Sequence, residues 1–450
     1  MPIIPDTADT ARLTIPEPQE EVSAQIEPRF WPAIPHSMDD LNLSPRVISD
    51  LFLRRVYMEG TSTLSSVSRA LRLSPTIIDK VFRHFRDERV LDVRGSTVDD
   101  DYAFSLTTAG TRLAVSRMRL SQYVGPAPVS LAQYVAAVRA QKANVTVTKE
   151  VLTNALSDLV ITEDLVATLG PALVSQKTMF LYGPTGNGKT VIAERLHRIY
   201  KDTVLIPYAV EVDGQIIVLH DPIVHKTASE QPDDIDPRWV LCSRPFVVVG
   251  GELTSDMLEL RFDDASRTYA APVQMKANNG VLVIDDFGRQ VISPRKMLNR
   301  WIVPMDRRID FLSLRYGVKF EIPFELMLVF STNLEPHHLA DEAFLRRMHN
   351  KIFLGGVNDT VFDQIFHRFI ESRGFECDAD SSEYLRKLCR EAGCNPLRAC
   401  LPADLCLIAR WVNQFNERPG YLSKDDFTRA VQLYFARTTG FVDRDFIPTA

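Results

Sequence analysis

Gly183-Pro184-Thr185-Gly186-Asn187-Gly188-Lys189-Thr190 fits the pattern G-x-x-x-x-G-K-[ST], in which the fixed positions each have a chemical duty. The glycines let the backbone wrap closely round a chain of phosphates, so that exposed N–H groups and the start of a following helix donate to the anion. Lys189 would reach the β- and γ-phosphates, and the Thr190 hydroxyl would ligate Mg²⁺. Well downstream, Gly280 to Gln290 reads GVLVIDDFGRQ, an apolar run that ends in Asp285-Asp286. Asp285 is placed to hold Mg²⁺, directly or through water. Asp286 is placed to orient or deprotonate an attacking water. The second acid of such a pair is most often Glu. Asp is one methylene shorter, which sets its carboxylate about 1.5 Å further back, so either the backbone comes closer or a water bridges the gap.

These residues need a particular scaffold. Phe180 to Tyr182 read as the end of a buried strand, and the residues after Lys189 as a helix. Val281 to Ile284 read as a parallel strand buried on both faces, whose C-terminal end is where ligands sit in open α/β sheets. A third strand, FELMLVFSTNLEP, places Asn333 at its tip. LADEAFLRRMHNKIFL then carries the adjacent Arg346 and Arg347, and Arg398 lies near the start of a later helix in REAGCNPLRACLPADLCLIARW.

Taken in order, these five elements resemble an AAA+ ATPase over about residues 150–435. The matching parts are a Walker A loop at 183–190, a Walker B strand at 281–286, a sensor 1 residue at Asn333, an arginine-finger segment at Arg346/Arg347 and a sensor 2 arginine at Arg398. IDDFGRQ and LNRWIVP, with the N-terminal part of the chain, also resemble a bacterial AAA+ group of poorly defined role. The resemblance implies an α/β fold, a doubly wound parallel sheet with a helical lid. It implies ATP and Mg²⁺ as cofactors and a ring of identical subunits, usually a hexamer, with ATP between neighbours. Asn333 would then bond the attacking water or the γ-phosphate. Arg347, with Arg346 in reserve, would reach the neighbour's ATP, a contribution worth ~10³–10⁵ in rate. Arg398 would couple lid angle to nucleotide state. Slow, assembly-dependent hydrolysis is the expectation.

The remaining chain reads as follows. Residues 1–38, proline-bearing and acidic, form an extended arm in which FWPAIP (30–35) is placed to dock on a surface in cis or on a partner. Residues 39–122 form a small winged helix-turn-helix domain: three helices, two of them opened by Ser-Pro, then two strands and a last helix. This unit carries 13 Lys+Arg and 9 Asp+Glu over residues 41–120, a balance of 13 − 9 = +4. Lys80, Arg83, His84 and Arg86 would face a DNA groove, but Asp99-Asp100-Asp101 at the wing tip would repel phosphates, so DNA and a protein partner both remain open. Residues 123–150 read as a linker, 151–355 as the nucleotide-binding core, and 356–450 as the lid. The stretch 191–280 is enlarged, with a hairpin signal at Asp213-Gly214. A second hairpin, RIDFLSLRYGVKFEIPF, precedes the Asn333 strand. Either hairpin could grip a macromolecular substrate or stabilise a subunit interface.

Bulk composition excludes some classes. At 45% hydrophobic and 24% charged, with a net charge of -6, this is an ordinary globular chain rather than one whose whole surface grips nucleic acid. No stretch has the ~20 apolar residues of a membrane span, and no basic-then-apolar leader is visible, so a cytoplasmic location without membrane contact is expected. The six cysteines lack metal-ligand spacing and read as reduced, buried small residues.

Overall fold

The computed structural model describes residues 30–96, 101–339, 345–418 and 420–435. The first unit contains α1 (Pro45–Glu59), β1 (Thr61–Thr63), α2 (Leu64–Leu71), α3 (Pro75–Asp87), β2 (Leu91–Ser96), β3 (Tyr102–Leu106) and α4 (Thr108–Met118). Its strands pair in the order β1-β3-β2, antiparallel throughout. The apolar faces of α1 and α3 close over the sheet, with Phe52 stacked on Phe104 at 5.9 Å and Phe82 tilted against Phe104 at 4.9 Å. Thr63 caps α2 in a reciprocal box with Ser66. Asp101 adds a second cap, its carboxylate accepting the N–H groups of Leu64 (3.1 Å) and Ser65 (3.0 Å). That acid is therefore spent on the helix start. Asp99 and Asp100 lie outside the described residues.

Residues 123–150 are more than a connector. They contain β4 (Val129–Ser130) and α5 (Leu131–Ala140), and Tyr134, Ala137 and Val138 of α5 are buried. These three positions follow an i, i+3, i+4 stripe, and Ser130 with Gln133 forms a capping box. The Gly-Pro-Ala-Pro run just before obscures this pattern in the sequence.

Next come α6 (Lys149–Ala155), α7 (Glu163–Ser175), β5 (Met179–Tyr182), α8 (Lys189–Arg195), β6 (Thr203–Pro207), β7 (Ala209–Val212), β8 (Gln215–Val218), β9 (Trp239–Ser243), β10 (Phe246–Val249), β11 (Arg261–Asp263), β12 (Thr268–Ala270), α9 (Val273–Lys276), β13 (Val281–Ile284), α10 (Pro294–Arg307), β14 (Ile309–Ser313), β15 (Lys319–Pro323), β16 (Met327–Thr332), α11 (Pro336–Leu339) and β17 (Asn350–Phe353). Four sheets draw on these strands.

One sheet is parallel, in the order β10-β13-β16-β5-β17. Both of its faces are covered, which is why its strands read as continuous apolar runs. Met179, Leu181, Val281, Val283 and Val329 enter one core, and Phe180, Leu282, Ile284, Leu328 and Phe330 enter the other. β13 and β5 both flank β16, so the Asp285-Asp286 pair, Asn333 and the Gly183–Thr190 loop leave the sheet at the same end.

The other strands build a separate β-rich unit with its own core. One sheet runs β11-β12-β8-β7-β4, beside the β6-β9 pair and the β14-β15 hairpin. Trp239, Tyr134, Val210, Ile217, Tyr269 and Ile322 meet inside it. The β7-β8 turn places Asp213 at φ 50° and Gly214 at φ 76°, as a two-residue hairpin requires. FWPAIP docks in cis on this unit. Phe30 packs edge-on to Trp239 at 5.2 Å, the Trp31 indole N–H donates to Asp234 at 3.2 Å, and the Asp236 N–H donates to Pro32 O at 2.9 Å. The first unit leans on the same body: the Gln122 N–H donates to Ser266 O at 2.8 Å, and Arg72 lies 5.8 Å from the Tyr208 ring.

The described residues beyond β17 contain four helices, α12 (Asp359–Arg373), α13 (Ser381–Glu391), α14 (Leu401–Phe415) and α15 (Lys424–Tyr434). They pack around Phe362, Phe366, Leu385, Leu405 and Phe427. All six cysteines are free, and burial pushes the Cys242 and Cys389 thiols up to about 12. Among the described residues there is no cluster of three or more His, Cys, Asp or Glu suited to a metal, and no helix long and apolar enough to cross a membrane.

Candidate active site

The loop that follows β5 is shaped by backbone conformations that side chains rarely allow. Gly183 has φ 136°, and a Cβ there would lie 2.3 Å from Leu354 O. Gly186 has φ 82°, and a Cβ there would lie 2.6 Å from Cys400 Sγ. Both glycines are therefore required by conformation and by space. Lys189 opens α8 and is 8% exposed. Its ammonium donates to Gly183 O and Pro184 O, each at 2.9 Å, so it folds back over the loop it belongs to. Burial lowers its pKa, against the pull of Asp285 and Asp286, which raises it.

Thr190 and Asp285 come together across the sheet. The Thr190 hydroxyl lies 3.0 Å from each carboxylate oxygen of Asp285. This set of hard oxygen donors suits Mg²⁺. Asp286 follows at φ 48°, in the left-handed region where Asp and Asn are enriched over other side chains. The turn is pinned from both sides. The Phe287 N–H donates to Ser331 O at 2.7 Å, the Thr332 hydroxyl to Phe287 O at 2.6 Å, and the Gln290 amide to Asp285 O at 2.7 Å. The Asp286 side chain itself is exposed. A backbone reversal thus sets where its carboxylate begins, and the residue type follows from that reversal.

Asn333 sits at the end of β16. Its side-chain oxygen is buried and has no hydrogen-bond partner among the described residues. An orphaned acceptor at the sheet end that carries the two carboxylates and the phosphate-type loop suits a water, which can donate to it. Arg347 is held by its own chain, its Nε donating to Asp306 of α10 at 2.8 Å, while Arg346 is exposed. Residues 340–344, within the segment expected to carry the two arginines, lie outside the described residues.

Arg398 is exposed and lies over the loop, its Cδ 3.5 Å from a Cβ built on Gly186. The neighbouring backbone is docked there as well. The Cys400 N–H donates to Gly186 O at 2.9 Å, and the Ala399 N–H to Asn187 Oδ1 at 3.3 Å. The C-terminal helical unit therefore touches the phosphate-type loop directly. Between the two runs a cleft of about 2770 Å³, bounded by the loop, by Asp286, by Val160 and Ile161 before α7, and by Ile365 and Phe369 of α12. The Arg368 guanidinium donates to the carbonyls of Ser157 and Leu159, tying the segment before α7 to α12. Sequence reading misses Asn187's contact with Ala399 and the whole Arg368 tie, because no local pattern announces contacts between residues this far apart.

Comparison with known proteins adds the following. A family described as "Domain of unknown function (DUF8689)" matches residues 358–433, the C-terminal helices alone. No curated protein sequence matches the chain. Among solved structures, the Thermotoga maritima RuvB Holliday junction branch migration motor is similar at 14% identity and a TM-score of 0.36, over 64% of this chain and 70% of that one. A mutant of the same RuvB is similar at 15% identity and a TM-score of 0.39, over 63% of this chain and 73% of that one. The FIGL-1 AAA domain is similar at 14% identity and a TM-score of 0.36, over 67% of this chain and 88% of that one. At these TM-scores the likeness carries no functional weight, which falls on the site's own geometry.

Proposed function

We propose that this protein is an ATP-hydrolysing AAA+ protein that assembles with copies of itself and remodels a macromolecule. The observation that carries this reading is the Thr190 hydroxyl lying 3.0 Å from both Asp285 oxygens, at the sheet end shared with the glycine loop. The loop's N–H groups bind the β- and γ-phosphates, and Lys189 exchanges its two carbonyl partners for phosphate oxygens. Thr190 and Asp285 would hold Mg²⁺, which when bound neutralises charge on the phosphates. Asp286 takes the proton of the attacking water, and Asn333 orients that water with its unpaired oxygen. The base lies in the cleft, against Val160, Ile161 and Ile365. Residues 356–435 act as the lid, with Arg398 over the phosphates. Arg347, with Arg346 beside it, completes a neighbour's site.

Residues 39–122 serve as a winged-helix recruitment domain. The pairing of charges on α3 favours a protein partner over DNA. Arg83 is bound to Asp79 at 2.8 Å, Arg86 to Asp87 at 3.0 Å, and His84 lies 3.6 Å from Glu88. A helix that neutralises its own cations has few left for phosphates. Binding of a DNA duplex that weakens steeply with salt would reverse this assignment.

Asp286→Asn tests the central reading, because Asn tolerates the same left-handed backbone. The variant should bind ATP as the wild type does and release phosphate at least ~10²-fold more slowly. An unchanged rate would remove Asp286 from the chemistry.

A further inference from the structure

We propose that Asn187 is a positioning residue that links the state of the phosphate loop to the placement of Arg398. This rests on the nucleotide-site reading above. Asn187 is 7% exposed, and both ends of its amide are engaged. Nδ2 donates to Pro184 O at 3.3 Å inside the loop, and Oδ1 accepts the Ala399 N–H at 3.3 Å from the C-terminal helical unit. Pro184 O is also one of the two carbonyls that hold the Lys189 ammonium, at 2.9 Å. One carbonyl therefore joins the group that must turn toward a phosphate to the side chain that reaches across to Ala399.

The far end of the tie is equally specific. Ala399 directly follows Arg398, and the next residue, Cys400, donates its N–H to Gly186 O at 2.9 Å. The Gly186–Cys400 bond anchors the helical unit to the loop, and the Asn187–Ala399 bond sets the angle of the residue beside Arg398. Both Asn187 bonds lie at the long end of the hydrogen-bond range, so small loop movements make or break them. When Lys189 leaves Pro184 O for a phosphate, that carbonyl loses a cationic donor and is free to draw closer to the Asn187 amide. The side chain moves with it, and Ala399 and Arg398 follow.

The test uses the full chain, amide hydrogen exchange over residues 396–405, and Mg²⁺–ATPγS as the nucleotide. In the wild type the nucleotide should slow exchange at Ala399 and Cys400. In Asn187→Ala, nucleotide affinity should stay within about 3-fold, exchange at Ala399 should run about 5-fold faster, and the added nucleotide should hardly change it. ATP turnover should fall about 10-fold through kcat with KM held. Asn187→Asp keeps the oxygen that accepts from Ala399 and should restore that amide's protection. Exchange across residues 45–118 serves as the check that each variant is folded. Unchanged nucleotide-induced protection in Asn187→Ala would overturn the link, as would complete loss of nucleotide binding, which would assign Asn187 to phosphate binding instead. A wild type that binds no nucleotide defeats the underlying reading and the link with it. That failure is seen without any variant, so the two are told apart.

Discussion

Asp286 is defined by its backbone before its carboxylate. At φ 48° a side chain crowds its own carbonyl, a cost Asp bears better than Glu and Gly scarcely feels. Asp286→Glu should therefore lower unfolding free energy by about 1 kcal/mol, and Asp286→Gly should not, as read by thermal or denaturant unfolding. Equal losses in both would mean that the turn does not choose the residue. Lys189 is the other residue on which the account rests. Lys189→Ala should remove detectable ATP binding by calorimetry, and retained affinity would mean that the loop does not hold phosphates. Both residues were legible in the sequence because their patterns are local: eight consecutive residues in one case, an apolar run ending in two acids in the other. The left-handed turn at Asp286 was not, since it is held by bonds from the next residue, Phe287, to Ser331 and Thr332 on the neighbouring strand.

At the scale of elements, the parallel strands β5, β13 and β16 followed from continuous apolar runs, and both hairpins from alternation around turn residues. The β-rich unit as a body did not, because its pieces come from residues 129–140, 203–243, 261–270 and 309–323 and meet only in three dimensions. His225 lies beneath that unit and gives it a pH signature. Its Nδ1 accepts the Asp221 N–H at 2.9 Å, so its Nε2 carries the hydrogen toward Lys276 O at 2.9 Å. The neutral ring satisfies both contacts, and a second proton would face an N–H. Burial first, and His220 in addition, push its pKa down to about 4. A histidine depressed in the folded state binds fewer protons than in the unfolded chain, so its contribution is present above the unfolded value of about 6.5 and lost as pH falls toward 4. The loss amounts to about 3 kcal/mol across that window. Unfolding midpoints should drop from pH 6.5 to 4.5, and His225→Gln should flatten that slope. An identical slope in the variant would remove His225 as the cause.

In the whole molecule, separate bodies meet around the cleft beside the glycine loop. The parallel sheet supplies the loop and the carboxylates, the C-terminal helical unit docks on Gly186 and Asn187, and the β-rich unit carries Phe30, Trp31 and Pro32 and the first helical unit on its surface. Arg347 donates from Nε to Asp306 of α10 at 2.8 Å, and its proposed service to a neighbouring copy is open to test. Replacing Arg346 and Arg347 together with Ala should leave ATP affinity intact and cut turnover by ~10³-fold or more. The most direct test of the account is steady-state phosphate release per chain, measured across chain concentration for the wild type and for Lys189→Ala. The wild-type rate should rise with concentration to a plateau, while the variant should stay at background throughout. A wild type indistinguishable from the variant at every concentration would contradict it.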